Sequence, residues 1–338
     1  MKIAITGGAG FIGSHLARAY LDGGHDVLVI DALLSGSTRV VDPRARFYRV
    51  DIRDRQLQRI LEQERPDLVS HHAAPRERGL PGEPPLTDAD INVRGLLNVL
   101  DSCVNACIGK IIFASGGNSM YGSVACQRLP VSEDTPLCPQ RPLDITKAAG
   151  EWYVRYYTRQ YGLEHTILRY ADVYGETDRD LAQHPLTYFV YTLLERDCCP
   201  VIRALPHELR DHIFIDDVVR ANLCALERGK NQTLHISSGQ RYALEQFYVA
   251  VARLLGSEMQ PAHINNRLVE ASSIMLDNTL AQRVLGWRPE VDLATGVERT
   301  VSAICEMTGQ SATPVQVIHT PPQKIKVASP AVATAALA

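Results

Sequence analysis

Three glycines at three-residue intervals, Gly7, Gly10 and Gly13 in "TGGAGFIGSHL", leave a stretch of backbone with no side chains to hold another molecule away. The stretch follows a short apolar run (residues 2 to 6, KIAIT) and opens a helix-period segment. In that setting the glycines let the turn close, let backbone N–H groups reach a pyrophosphate and let helix pack on strand, while the helix N-terminus supplies the partial positive charge that anions favour. Phe11 and Ile12 lie between the glycines and share the contact surface. A second apolar run, DVLVI at 26 to 30, ends in Asp31, close to the ~20-residue offset at which an acid receives ribose hydroxyls. The chemistry implied is dinucleotide binding. Asp31 would repel a 2′-phosphate, which favours NAD over NADP, while Arg39 is the nearby cation that would accommodate that phosphate instead.

These residues need a scaffold. Short, apolar, β-rich runs recur at 46 to 50 (RFYRV), 68 to 71 (LVSH) and 110 to 115 (KIIFAS), with helix-period segments between them such as "INVRGLLNVLDSCVNACI". Strand and helix alternating in this way predict an α/β fold, a doubly wound parallel sheet of Rossmann type with right-handed crossovers. Further strands are expected at 164 to 169 and 233 to 237. Residues 1–175 with 216–239 are expected to form the dinucleotide-binding domain, and 176–215 with 240–312 a smaller mixed α/β substrate lobe. Residues 313–338, rich in proline and small residues without a stable period, are expected to be a mobile tail.

Composition narrows the partners. The 338 residues carry a formal net charge of −3, so neither a nucleic-acid footprint nor a polybasic membrane segment is present, and a compact small-molecule ligand is expected. The N-terminal apolar run is broken at once by glycines, too soon for a signal peptide or membrane span, which points to the cytoplasm. Eight cysteines are scattered, and neither Cys103/Cys107 nor Cys198/Cys199 has the second ligand pair of a structural zinc site. They read as reduced thiols, with no metal expected.

With these motifs in order, the chain resembles the extended short-chain dehydrogenase/reductase family, in particular NAD-dependent nucleotide-sugar epimerases and dehydratases of the UDP-glucose 4-epimerase type. The likeness covers nearly all of residues 1 to 300 and includes "VDIRD" (50 to 54), "HHAAP" (71 to 75), "NVRGLLNVL" (92 to 100), "LRYADVYGE" (168 to 176), "RDHIFIDDVVRANLCAL" (210 to 226) and "LDNTLAQRVLGWRPEVDLATGVERT" (276 to 300). It implies cofactor contacts by Asp51, Ile52, Ala73, Ala74 and Asn92. It also implies that Arg210 and Arg267 hold a nucleotide diphosphate, a task suited to the bidentate guanidinium. Asp172 stands where the family often has a substrate-contacting asparagine.

The family's catalytic pair is Tyr-x-x-x-Lys, a tyrosinate base assisted by lysine. Aligning "RPLDITKAAGE" (141 to 151) on Pro142, Thr146, Lys147 and Glu151 puts Leu143 on the tyrosine, and no other tyrosine lies between Tyr121 and Trp152. The helper hydroxyl after the strand falls on Gly116, with Ser115 or Ser119 as neighbours able to approach it. Loss of a positioned base typically costs ~10²–10⁴ in rate. Three readings stand. Another group is the base, with Lys147 a candidate because desolvation and a nicotinium charge lower its pKa, and Tyr121, Tyr174 and His184 as others. Alternatively the chain binds NAD and a nucleotide-sugar without turnover, as a sensor or scaffold. In the third, an elimination or isomerisation proceeds without a tyrosinate, through Asp144, Glu176 or Asp178. The resemblance also implies a homodimer built on "NVRGLLNVLDSCVNAC" and on "TKAAGEWYVRYYTRQYG", whose Ala149, Trp152, Tyr153, Tyr156 and Tyr157 recur at three- and four-residue intervals.

Overall fold

The computed structural model describes residues 1–34, 36–75, 85–127, 129–176, 185–195, 199–202, 208–264 and 273–309. The chain runs β1 (Lys2–Thr6), α1 (Phe11–Asp22), β2 (Asp26–Asp31), β3 (Arg46–Arg49), α2 (Gln56–Glu64), β4 (Leu68–His71), α3 (Pro85–Asp88), α4 (Leu96–Asn105), β5 (Lys110–Gly116), α5 (Pro142–Tyr161) and β6 (Glu164–Tyr170). It continues through β7 (Asp172–Tyr174), α6 (Pro185–Glu195), β8 (Val201–Ile202), β9 (Arg210–Phe214), α7 (Ile215–Ala225), β10 (Gln232–Ile236), β11 (Arg241–Tyr242), α8 (Leu244–Leu254), β12 (Ala262–His263), α9 (Thr279–Leu285) and α10 (Leu293–Thr308).

Seven parallel strands form the main sheet in the order β10-β6-β5-β4-β1-β2-β3. The central strands are apolar on both faces (Ile3, Ala4 and Ile5; Val27 to Ile30; Ile111 to Ala114) because helices cover both. On one face α2, α4 and α5 supply Leu57, Leu61, Leu96, Val99 and Val154; on the other α1, α7 and α9 supply Leu16, Tyr20, Val218, Ala221 and Leu285. The strand order reverses between β1 and β4, and ligands of open parallel sheets bind beyond the carboxyl ends of the strands at such a reversal. The doubly wound sheet expected from the alternation is therefore present, with its crevice where the glycine turn lies.

A third core lies outside this sheet, where α6, α8 and α10 pack Leu186, Phe189, Phe247, Val251, Val297 and Ile304 against Tyr174 and Phe214. Two family signatures act here as clamps. The Asp211 carboxylate accepts from the N–H groups of Ser238, Gly239 and Leu276 and from Ser238 Oγ. Asp217 accepts from Glu290 N and Val291 N, and its carbonyl takes the Trp287 indole N–H, which docks "LGWRPE" onto α7. The tail expected over 313–338 lies outside the described residues.

Candidate active site

The turn after β1 closes through Gly7, whose φ of +73° and approach to Ala73 leave no room for a side chain: a Cβ there would meet Ala73 N at 2.6 Å. At Gly13 a Cβ would lie 2.2 Å from Gly7 O, so α1 can start against the turn only because that residue is glycine. Gly10 precedes α1 with no side-chain cap, and the first-turn N–H groups of a helix have no carbonyl a turn behind them. Gly7, Gly10, Phe11, Ile12 and Gly13 line a cavity of about 470 Å³ that extends across the strand ends. Asp31 lines it at the end of β2, its carboxylate oriented by the N–H groups of Ala9 (3.0 Å) and Leu33 (2.8 Å). Asp51 and Ile52 line the same end, with Asp51 gripped by the Arg53 guanidinium (3.0 and 2.7 Å). Ala73 and Ala74 complete the wall. A backbone cradle that side chains would fill, beside a fixed acid, is a fit for a dinucleotide with free ribose hydroxyls.

At the other end the cavity is lined by Ser115, Gly116, Ser119, Arg141, Leu143, Asp144, Lys147 and Asp172. Pro142 at the first helical position fixes the entry of α5, so Leu143 and Lys147 fall one turn apart on one face. Lys147 Nζ donates to Ala114 O (2.8 Å) over the Phe113 ring, and burial lowers its pKa to about 8. Ser115 faces inward: its Oγ donates to Glu151 Oε1 (2.7 Å), which the Arg169 guanidinium also holds (2.8 Å). Ser119 Oγ donates to Asp144 Oδ1 (2.5 Å), and Arg141 Nε donates to Asp144 Oδ2 (2.9 Å). A Cβ at Gly116 would press on the Met120 side chain (Cγ at 3.2 Å) and sit 3.6 Å from Ser119 Oγ, whereas one at Gly117 would run into Tyr170 O at 2.5 Å.

Several sequence-predicted residues lie elsewhere. Tyr121 is fully buried behind the cavity, with its hydroxyl on His235 Nε2 (2.5 Å) and Arg169 Nη1 (2.7 Å), and burial raises its pKa. Tyr174 packs into the third core against Phe214 and Phe247. Neither tyrosine lines the cavity. Asn92 does not line it either; its Nδ2 donates to Thr146 Oγ1 (3.0 Å), and that hydroxyl donates to Leu143 O (2.9 Å), so it supports the start of α5 from behind. Arg210 pairs not with its neighbour Asp211 but with Asp172, through Nε (2.6 Å) and Nη2 (3.2 Å). Burial works against the Asp172 charge, but the Arg210 guanidinium holds its carboxyl well below the usual range. Arg267, His184 and Asp178 lie outside the described residues. Arg39 is not among the cavity-lining residues.

Sequence reasoning missed Arg141, whose only signal was its place before Pro142, and His72, a cavity-lining imidazole that contacts Tyr170 OH (3.1 Å) and that burial brings down to about 3. Tyr157 of the aromatic stripe on α5 donates to Asp101 of α4 (2.5 Å), which ties those two helices together. Among the described residues no cluster of three or more His, Cys, Asp or Glu is placed to hold a metal ion. Also among them, no helix is long and apolar enough to cross a membrane.

Fold and cavity together define a Rossmann-type dinucleotide-binding protein. Residues 3–237 match the model of the NAD dependent epimerase/dehydratase family. The chain belongs to that family, an enzyme family whose cofactor is NAD. It is 31% identical over 307 residues to the UDP-glucose 4-epimerase of Mycolicibacterium smegmatis, covering 89% of this chain and 97% of that one. Its structure is similar to UDP-glucose 4-epimerase from Thermotoga maritima with UDP-glucose (TM-score 0.87, 34% identity, 91% of this chain and 100% of that one). It is also similar to Thermus thermophilus UDP-glucose 4-epimerase in complex with NAD (TM-score 0.83, 31% identity, 90% and 98%).

Proposed function

We propose that this chain is an NAD-dependent cytoplasmic enzyme that epimerises or dehydrates a nucleotide-diphosphate sugar with a group other than tyrosine as its proton acceptor. The observation that carries this is the continuity of one cavity from the glycine cradle to Lys147, with Leu143 on the same face of α5. Gly7, Gly10, Phe11, Ile12, Gly13, Asp31, Asp51, Ile52, Ala73, Ala74 and Lys147 would hold NAD, and Asn92 would act through Thr146. When bound, the cofactor supplies the hydride acceptor that makes a sugar carbon reversibly oxidisable. Asp172, in the dinucleotide-binding domain, and Arg210 and Arg267, in a lobe formed by 176–215 and 240–312, are assigned to the substrate. Relatives named as UDP-glucose 4-epimerases support a UDP-sugar. The exposed α5 side chains Trp152, Tyr153 and Tyr156 support a homodimer through that helix and α4.

The test is a panel of UDP-, dTDP-, GDP- and CDP-sugars incubated with the NAD-loaded protein, with products followed by NMR. Conversion of at least one sugar is expected. Retention of NAD with no sugar altered would overturn the enzyme reading and leave a binding module, a sensor or scaffold.

A further inference from the structure

Two cavity-lining serines donate to carboxylates, Ser115 to Glu151 and Ser119 to Asp144, and of the two carboxylates it is Asp144 that lines the cavity as well. Ser119 and Asp144 both line it, Asp144 next to Leu143 in the first turn of α5 and Ser119 with its Oγ 3.6 Å from where a Cβ at Gly116 would lie. The Asp144 side chain is nearly fully buried and fixed on both oxygens, by Ser119 Oγ on Oδ1 and by Arg141 Nε on Oδ2. The other polar groups near this end have different commitments. Ser115 Oγ is given to Glu151, which already balances Arg169, and Lys147 Nζ is turned onto Ala114 O.

We propose that Ser119, with Asp144 positioned behind it, is the proton relay of this site, replacing the hydroxyl that Leu143 lacks. The deduction rests on the reading of the chain as a nucleotide-sugar enzyme. A serine hydroxyl alone is too weak a base for a sugar O–H. A carboxylate that accepts the serine proton as the serine accepts the sugar's makes the transfer concerted, as in any nucleophile or relay oriented by a second group. In the oxidising direction the sugar O–H bond breaks and its proton passes to Ser119 Oγ, while the Ser119 proton passes to Asp144 Oδ1. The C–O bond becomes a carbonyl, the carbon's hydride being taken by a nicotinamide dinucleotide. The reverse transfer returns both protons, so no further reductant or base is needed. Arg141 keeps the carboxylate oriented and offsets its charge before the transfer.

The experiment compares NAD-loaded wild type with Ser119→Ala, Ser119→Thr and Asp144→Asn on the sugar that wild type converts, with Kd for NAD and for UDP measured calorimetrically on each. Ser119→Ala and Asp144→Asn are expected to lower kcat ~10²–10⁴-fold with KM and both Kd values within about threefold of wild type, and Ser119→Thr is expected to retain turnover within about tenfold. The kcat–KM split with unchanged binding is what a merely structural Asp144 would not produce. Wild-type-like kcat in either Ser119→Ala or Asp144→Asn overturns the relay while leaving the enzyme reading intact. A wild type that binds NAD and UDP but converts no sugar overturns the enzyme reading itself, and the relay with it.

Discussion

Gly13→Ala is the sharpest probe of the cofactor cradle, because the structure fixes what the added methyl must meet. The new Cβ would be 2.2 Å from Gly7 O, 2.8 Å from Gly8 Cα and 2.9 Å from Gly7 C, all backbone of the same turn. None of these atoms can rotate away, so α1 must retreat from the turn by about an ångström or the turn must open. Overpacking of this kind costs about 1–3 kcal/mol. If the strain falls on the cradle, which NAD needs in its unshifted form, NAD affinity drops by roughly 5- to 150-fold, at about 1.4 kcal/mol per tenfold. Gly10→Ala separates strain from occupancy, since its Cβ meets only Gly7 O, at 3.3 Å, so its Tm should fall less than that of Gly13→Ala even though the methyl is added at a cavity-lining position. Calorimetric titration with NAD, together with thermal melting of the NAD-free proteins, reads both quantities. Gly13→Ala with wild-type NAD affinity and wild-type Tm would refute the reasoning.

Three further outcomes follow from the same geometry. Glu151→Ala leaves the Arg169 guanidinium, 3% exposed, without its bidentate partner, and is expected to destabilise by about 3–5 kcal/mol, visible as a lowered Tm; an unchanged Tm would mean that the pair is not the anchor described. Because burial brings the Lys147 pKa from 10.5 down to about 8, the cost of its charge is fully present below pH 8 and is relieved as the unfolded chain alone stays protonated above it. NAD-free wild type should therefore gain about 2 kcal/mol relative to Lys147→Met as pH rises from 8 to 10, and a flat difference in denaturant stability would contradict it. For the dimer, light scattering should give twice the chain mass, falling to one chain mass in Trp152→Glu, whose parent side chain is 62% exposed; a wild-type monomer would remove the assembly proposal.

The cofactor half of the site was legible in the sequence because it is local. Glycine spacing, the strand before it and the offset to Asp31 are consequences of a single β-turn-α-β unit, and every residue they nominated between Gly7 and Asp31 lines the cavity. The far end of the cavity was not, since its polar partners come from distant segments. Ser119 meets Asp144 across 25 residues and Asp172 meets Arg210 across 38. No periodicity reports such pairings. Tyr121 shows the same limit: its place in a motif says nothing of the buried His235 and Arg169 that turn its hydroxyl away from the cavity. Family signatures also mix roles, for Arg210 faces Asp172 while the next residue, Asp211, is a clamp for three backbone N–H groups.

Leu143 and Lys147 lie one helical turn apart on α5 and share one electrostatic environment. A phenol one helical turn before an amine offers it a potential anionic partner; a leucine offers only desolvation, which disfavours the ammonium. The lowered pKa of Lys147 is what an amine without that partner should show, with burial as its largest cause. With a pKa of about 8, Lys147 is still mostly protonated near neutral pH, so it remains a positive charge at this wall of the cavity. Ser119 and Asp144 do not depend on that charge, because Arg141 supplies their own. Leu143 and a separately neutralised carboxylate at the same cavity wall therefore fit together under the proposed relay: a proton route through Ser119 and Asp144 would leave Lys147 free to serve the cofactor alone.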